Sequence, residues 1–231
     1  MKLQDLYRNL SYGVLSNLTL ANDGNGTIRE RDLGKVTLAL NESLLRIYSR
    51  FNLREKTILI MMQEGVVTYH LTKKYALTAG EVPAPYIFDL DEDPFDEDVI
   101  KILAVYNSLG YQLPLNDNEG PWSLFTPQAT VLQVPNPIEI MALSVMYQAK
   151  HPILYADKPD TPIMLPSVLE GALYSHVVYQ IFDSMGTVES TARAQNHLMN
   201  YENICGELMA TDSVQTSIST SNVRFEKRGW I

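Results

Sequence analysis

The sequence contains almost no cysteine. Cys205 is the single cysteine among 231 residues, so neither a disulfide nor a metal site of several thiolates can form within one chain. The sequence also lacks an apolar run long enough to span a membrane. Residues 1–6 are too polar to begin a signal peptide. We therefore expect a soluble protein, intracellular when made, that has no membrane partner.

The sequence is also poor in basic residues. It has 18 Lys and Arg against 27 Asp and Glu, which gives a formal net charge of −9. Non-specific binding to nucleic acid depends on clustered Lys and Arg side chains that contact phosphates, and this composition argues against it. An acidic protein can nevertheless surround DNA without binding it.

Catalytic motifs are absent. The sequence has no glycine loop that would cradle a phosphate, no nucleophile elbow and no zincin helix. The four histidines are too far apart in sequence for metal-type spacing: His70, His151, His176 and His197. His176 and His197 lie on neighbouring predicted helices, where we expect a pair of hydrogen-bonded core histidines. Cys205 lies on an apolar stripe typical of a core. We predict that the protein is not an enzyme and holds no metal or cofactor, with a hydrolase that uses the acidic loop described below as the alternative.

Proline is absent from both ends of the chain. All twelve prolines lie between Pro83 and Pro166, and eight of them lie between Pro83 and Pro137. Apolar residues recur every three or four positions outside this stretch, and from residue 57 the period changes to two. The pattern predicts an α+β protein, a helical bundle with an inserted antiparallel β-sheet or sandwich. We divide the chain into four segments, namely 1–56 and 150–213 for the bundle, 57–149 for the β domain and 214–231 for an extended C-terminal arm.

Three long helices are predicted from the helical periodicity. The apolar face of the first consists of Leu33, Val36, Leu40, Leu44, Ile47 and Phe51. The second begins near Pro166, a residue that suits a first helical turn, and ends at Gly186. Thr187 is the candidate cap of the last helix, whose apolar face consists of Leu198, Tyr201, Cys205 and Leu208.

Three β-hairpins are predicted in the middle of the chain, because short strands there flank turn residues. They join 57–62 to 66–71, 99–106 to 111–115, and 129–134 to 138–147. We expect the prolines in loops and at strand ends, where they interrupt no ladder of hydrogen bonds.

A glycine-rich loop near the N-terminus has the pattern of the middle of an EF-hand calcium loop. With Gly26 at the sixth position, the ligands would be Asp23, Asn25 and Asp32. Ala21 then stands at the first position, where a carboxylate is required. A calcium-regulated binding module is the alternative function that this loop suggests. The other interpretation is a tight glycine turn before a helix capped by Thr27.

Seven carboxylates occur within ten residues, and together they form what we call the acidic loop: Asp89, Asp91, Glu92, Asp93, Asp96, Glu97 and Asp98. The spacing of Asp89, Asp91 and Asp93 suggests calcium, but Pro94 takes the place of the turn glycine. Consecutive carboxylates in a loop do not flank a cleft as the acids of a glycosidase do. We interpret the segment as a solvated acidic loop. In a ring of subunits such loops would line a channel and repel the phosphates of passing DNA.

The end of the C-terminal arm carries basic and apolar residues, namely Arg224, Phe225, Lys227, Arg228, Trp230 and Ile231. Exposing Phe225 and Trp230 to water is unfavourable. Aromatic and arginine side chains contribute most of the energy of many interfaces, which favours a docking segment. The alternative is a chain end whose residues matter little.

Several local patterns, taken with the order of elements, resemble bacteriophage head-to-tail adaptors of the tail tubular protein A kind. They are Leu6-Tyr7-Arg8-Asn9-Leu10-Ser11-Tyr12-Gly13 before the glycine-rich loop, Ile100-Lys101-Ile102-Leu103-Ala104-Val105-Tyr106 leading to Leu113-Pro114-Leu115-Asn116, and Val145-Met146-Tyr147-Gln148-Ala149-Lys150-His151-Pro152 continuing to Ile163-Met164-Leu165-Pro166 and Ala172-Leu173. The likeness covers most of the chain.

This resemblance implies a ring of twelve copies that attaches to the portal protein, extends the DNA channel and receives the tail nozzle. DNA would pass through it without sequence-specific binding. The arm would dock on the portal, and the acidic loop would line the channel or face the tail. Such a protein is located in the virion, at the head–tail junction, and is assembled in the host cytoplasm. The family supplies no catalytic residues.

Overall fold

The computed structural model describes residues 1–118, 120, 122–137 and 141–214. Within these residues the chain forms four α-helices, α1 (Leu3–Tyr12), α2 (Glu30–Arg50), α3 (Glu170–Asp183) and α4 (Val188–Ala210). It forms eight strands, β1 (Glu55–Met61), β2 (Thr68–His70), β3 (Ile87–Phe88), β4 (Val99–Tyr106), β5 (Gln112–Leu113), β6 (Phe125–Gln128), β7 (Val131–Gln133) and β8 (Ala142–Ala149). The predicted α+β class is confirmed, whereas the bundle and sandwich arrangements stay predictions. None of the described helices is long and apolar enough to cross a bilayer.

The helices form where the apolar periodicity predicts them. On α2, the residues at the predicted spacing are buried from Val36 to Ile47, and Phe51 directly follows the helix. On α3 the apolar arc is wide because the helix packs against both α2 and α4. Gly186, with a φ of 68°, separates α3 from α4. Thr187 caps α4 as predicted, since its hydroxyl accepts a hydrogen bond from the Ser190 N–H at 3.1 Å.

The strands form two antiparallel sheets. Among the described residues, one sheet has the order β3-β1-β8-β4-β5 and the other has the order β2-β7-β6. Pro127 lies in β6, an edge strand, where a missing N–H interrupts no pairing. The central strand β8 pairs with β1 and β4, so both of its neighbours are remote in sequence.

Of the three predicted hairpins, the second is confirmed and the other two are wrong. Strands β4 and β5 pair with each other around the turn at 107–110. In contrast, β1 pairs with β3 and β8, and β2 pairs with β7 in the other sheet. Strand β7 likewise pairs with β2 and β6 and not with β8. The alternation of apolar residues identifies strands but not their partners, and the turns near Gly65 and Pro135 carry the chain from one sheet to the other.

Two apolar clusters form the core. The helical cluster takes its buried residues from 3–51 and 154–214, and the other takes its buried residues from 58–149. Gln148 on β8 connects the two, because its side-chain amide donates to the Phe51 carbonyl at 3.0 Å and also to the Tyr48 carbonyl. The end of α2 is thereby fixed against the central strand of the larger sheet. The segment boundaries proposed from the sequence stay predictions.

Three histidines are buried or half-buried and have separate partners. His151 donates to the Pro152 carbonyl at 2.6 Å and accepts from the Met164 N–H at 3.1 Å, which fixes its neutral form. His176 hydrogen-bonds Ser43 at 2.9 Å. His197 stacks on Phe182 with ring centroids 6.0 Å apart. The predicted pairing of His176 with His197 is therefore wrong, since each ring packs against a different neighbour.

These histidines make the fold sensitive to acid. Burial lowers the pKa of His151, His176 and His197 below the ordinary value of 6.5. As the pH falls below about 6.5, the unfolded chain takes up protons that the folded chain does not, so stability is retained above that pH and lost below it. We expect the midpoint of thermal unfolding to be level above about pH 7 and to fall towards about pH 5. His197→Phe keeps a ring on Phe182 and should make this fall shallower. If the midpoint of the variant fell with pH as steeply as that of the wild-type protein, a contribution of His197 to the acid sensitivity would be contradicted.

Candidate assembly surfaces

The acidic loop follows β3 and is fixed at its far end by a partly buried ion cluster. The Asp98 carboxylate lies 3.2 Å from an Arg54 guanidinium nitrogen and 3.5 Å from Lys56 Nζ. The Tyr147 hydroxyl donates to the same carboxylate at 2.8 Å. Only 12% of the Asp98 side chain is exposed. Burial and the neighbouring Asp98 charge raise the pKa of Tyr147, so its hydroxyl remains a donor.

The near end of the loop is fixed by Asp89. Burial alone would raise the pKa of Asp89. The hydrogen bonds from the Phe95 N–H at 2.8 Å and from the N–H and hydroxyl of Thr78 outweigh it and lower the pKa. Further along the loop, Asp96 lies 3.4 Å from Lys73 Nζ, and Glu97 accepts from the Lys73 N–H. The loop is therefore tied to the segment 73–78 by Asp89, Asp96 and Glu97, and to the sheet by Asp98.

The acidic loop thus has two kinds of carboxylate, and the interpretation of a uniformly solvated loop was wrong for two of them. Asp89 and Asp98 are partly buried and hold the loop, whereas Asp91 and Glu92 are exposed. Residue type and spacing do not distinguish the two kinds. The buried apolar Phe95 between them was the available signal, because a buried residue within an acidic segment requires part of the segment to turn inward.

The candidate calcium loop lies between α1 and α2. Asn25 Oδ1 accepts from the N–H of Thr27 at 3.2 Å and from its hydroxyl at 2.6 Å. Arg29, not Thr27, occupies the N-cap position of α2. The predicted Thr27 cap is therefore wrong, because its hydroxyl is turned towards Asn25.

Asp32 lies 3.5 Å from Arg31. Across the part of the chain that the structure describes, no group of three or more His, Cys, Asp or Glu side chains is placed to hold a metal ion.

The outward face of α4 is the most unusual surface among the described residues. Exposed residues without charge recur along it at steps of three and four: Ala192, Asn196, Met199, Asn203, Gly206 and Ala210. We call this set the α4 face. Exposed helix surfaces ordinarily carry charged residues, and here a six-residue stripe over most of a 23-residue helix has none. The opposite side of the helix buries Tyr201 and Cys205 in the helical core, as predicted.

Gly206 on the α4 face has no packing role among the described residues. A Cβ added there would meet none of their atoms within 4 Å. Glycine in a helix interior is less favourable than alanine by about 1 kcal/mol, so this position lowers the stability of the helix without improving its packing against the described part of the subunit. Sequence reasoning missed the α4 face because it searched for apolar stripes. The available signal was the absence of Lys, Arg, Asp and Glu at this spacing.

Three further exposed apolar side chains lie near the β4–β5 hairpin. Leu109 and Tyr111 at its turn and Trp122, between β5 and β6, are each more than half exposed. Trp122 also borders a largely apolar cavity of about 450 Å³ that includes Leu113 and Leu143. Exposed aromatic side chains beside an apolar cavity are typical of contact surfaces.

The predicted docking residues of the arm lie outside the described residues. These are Arg224, Phe225, Lys227, Arg228, Trp230 and Ile231. No protein-family model matches the sequence, and a search of the curated proteins found no match either. The head-to-tail adaptor function that the resemblance implies therefore stays a proposal.

Proposed function

We propose that this protein is a structural component of a phage virion, a head-to-tail adaptor whose copies form a ring between the portal protein and the tail. Its mechanism is assembly, and it transforms no substrate. The ring, of twelve copies by the resemblance, would extend the DNA channel. The α4 face is the observation that carries this proposal.

The α4 face suits packing against a neighbouring copy. The steps between its residues average about 3.6, the repeat of a straight α-helix, so all six lie along one side of α4 where another element can pack. Ala192, Gly206 and Ala210 are small enough to allow close approach, and Met199, with 63% of its surface exposed, can fill an irregular gap. No charge on the stripe would have to be removed from water on assembly, which is the main obstacle to covering an ordinary helix surface.

The acidic loop supports a role beside DNA. Because Asp89 and Asp98 fix the two ends of the loop, Asp91 and Glu92 are presented outward from a fixed base. Repeated around a ring, these carboxylates would repel phosphates without ordering any one nucleotide. The loop would then line the channel or form the tail-side surface, where the tail nozzle docks.

The arm would attach the ring to the portal. Ordering an extended segment costs conformational entropy, which Phe225 and Trp230 would offset by burial and which Arg224 and Arg228 would offset by charge-assisted hydrogen bonds. These residues are concentrated in the last eight positions of the chain. A terminal segment of this kind can reach a partner without disturbing the folded body.

Deleting residues 223–231 tests the role of the arm. We expect a folded protein with an unchanged midpoint of thermal unfolding that no longer binds purified portal rings in a pull-down. A matched variant, Phe225→Ala with Trp230→Ala, keeps the length and charge of the arm and should lose most of the binding. Unimpaired attachment of the truncated protein would contradict the role of the arm, and electron microscopy of the wild-type mixture should show a ring below the portal.

A further inference from the structure

Strand β4 has an open edge. It pairs with β8 over its whole length, but on the other side β5 pairs only with Val105 and Tyr106. On that side, 99–104 has no strand partner among the described residues. An unpaired strand edge presents backbone N–H and C=O groups that can add another strand.

A groove of about 420 Å³ borders this edge. Ile100 and Leu103 of β4 line it, and at each of them the register of β4 against β8 shifts by one residue, as at a β-bulge. The ends of α2 and α4 form the other walls, with Phe51 and Leu208. Asn52 also lines the groove, and its buried Oδ1 atom has no hydrogen-bond partner among the described residues. The groove therefore offers apolar surface together with an acceptor that lacks a donor.

The chain is turned into this groove where α4 ends. The Asp212 N–H donates to the Met209 carbonyl at 3.3 Å, and the Ser213 N–H donates to the Leu208 carbonyl at 3.2 Å. This is the Schellman pattern, and Asp212 adopts the left-handed conformation that it requires, with a φ of 52°. Val214 is buried in the groove directly afterwards. The chain thus reverses direction at the helix end and enters the space beside β4.

The sequence that follows has the pattern of a strand. Between 216 and 221, the β-branched residues Thr216, Ile218 and Thr220 alternate with serines. A period of two with β-branched residues on one face is typical of a strand. Ile218 is the one apolar residue of 215–222, so a strand here has a single side chain to bury. Eight extended residues span about 26 Å, enough to cross the groove and leave the last nine residues beyond it.

We propose that residues 216–221 form an additional strand on the open edge of β4 of the same chain, with Ile218 seated in the groove between Leu103 and Leu208. The groove would then fix the base of the arm, and residues 223–231 would leave the subunit from a defined point. This inference goes beyond the adaptor function, because the additional strand requires neither a portal nor a second copy.

Hydrogen exchange of the full chain tests directly whether residues 216–221 form the additional strand. We expect alternate amides within 216–221 to exchange at least about tenfold more slowly than the amides of 223–231, because a strand added to one edge bonds every second N–H. The variant Ile218→Asp should remove this protection. Its thermal unfolding should keep a single transition. Uniformly fast exchange across 215–231 in the wild-type chain would overturn the proposal.

A pair of engineered cysteines tests whether residues 216–221 bind to β4 of the same chain. Leu103→Cys with Ile218→Cys should form an intramolecular disulfide in the monomer fraction, since facing residues of adjacent strands fall within disulfide range. The control pair, Leu38→Cys with Ile218→Cys, places one thiol on the exposed side of α2 and should not close within a chain. Equal closure of both pairs, or a disulfide only between copies, would overturn the proposal. Neither readout involves the portal, so failure here leaves the adaptor function standing.

Discussion

Asp98→Asn is expected to lower the free energy of unfolding by about 3 kcal/mol. The substitution removes the charge that Arg54 and Lys56 share, and both cationic side chains are at least three-quarters buried. Lys56 keeps Asp93 as a counter-ion at 3.1 Å, whereas Arg54 has no other carboxylate partner among the described residues. The Arg54 guanidinium therefore retains the cost of desolvation and loses the attraction that offset it. The Tyr147 hydroxyl also loses a charged acceptor. Chemical denaturation at pH 7 measures the change.

Asp91→Asn is the matched control for this prediction. It makes the same chemical change in the same loop, but Asp91 is exposed. Surface substitutions of this kind change stability by no more than about 0.5 kcal/mol. Because the Asp98 cluster is shielded from solvent, its effect should also persist at high salt. Equal losses for both variants would show that Asp98 does not hold the loop.

The sequence predicted the positions of helices and strands better than it predicted which strands pair. The apolar spacing on α2 and the Thr187 cap of α4 depend on residues within a few positions of each other, and both predictions hold. The hairpin of β4 with β5 is also local. The pairing of β8 with β1 and β4 joins residues that are about forty to ninety positions apart, and no pattern in one strand specifies such a partner.

The same limit applies to the candidate surfaces. Composition located the acidic loop, but the inward orientation of Asp98 depends on Arg54 and Lys56, which precede it by more than forty positions. The α4 face was readable from the sequence, since it is defined by spacing along one helix. Apolar periodicity does not reveal it, because all of its residues except Met199 are small or polar, and that periodicity marks the buried stripe through Tyr201.

Gly206→Lys is expected to stabilise the free subunit and to prevent ring assembly. A side chain at this position meets open space, and replacing glycine in a helix interior gains about 1 kcal/mol. Glu202, four residues earlier, is already paired with Arg50, so the new cation has no carboxylate of its own. In a ring packed through the α4 face the same ammonium group would be buried without a partner, which weakens association by about a hundredfold or more. If the α4 face is a subunit interface, the substitution should therefore have opposite effects: the free subunit becomes more stable and the ring becomes weaker.

Gly34→Lys provides the matched control for that substitution. Gly34 is an exposed glycine within α2, and a Cβ there also meets no atom of the described residues within 4 Å. The two variants should therefore raise the midpoint of thermal unfolding by similar amounts, while only Gly206→Lys abolishes rings on the portal in electron micrographs. Rings formed equally well by both variants would exclude the α4 face from the interface. Loss of rings in both variants would assign the defect to added charge or helix stability and not to this surface.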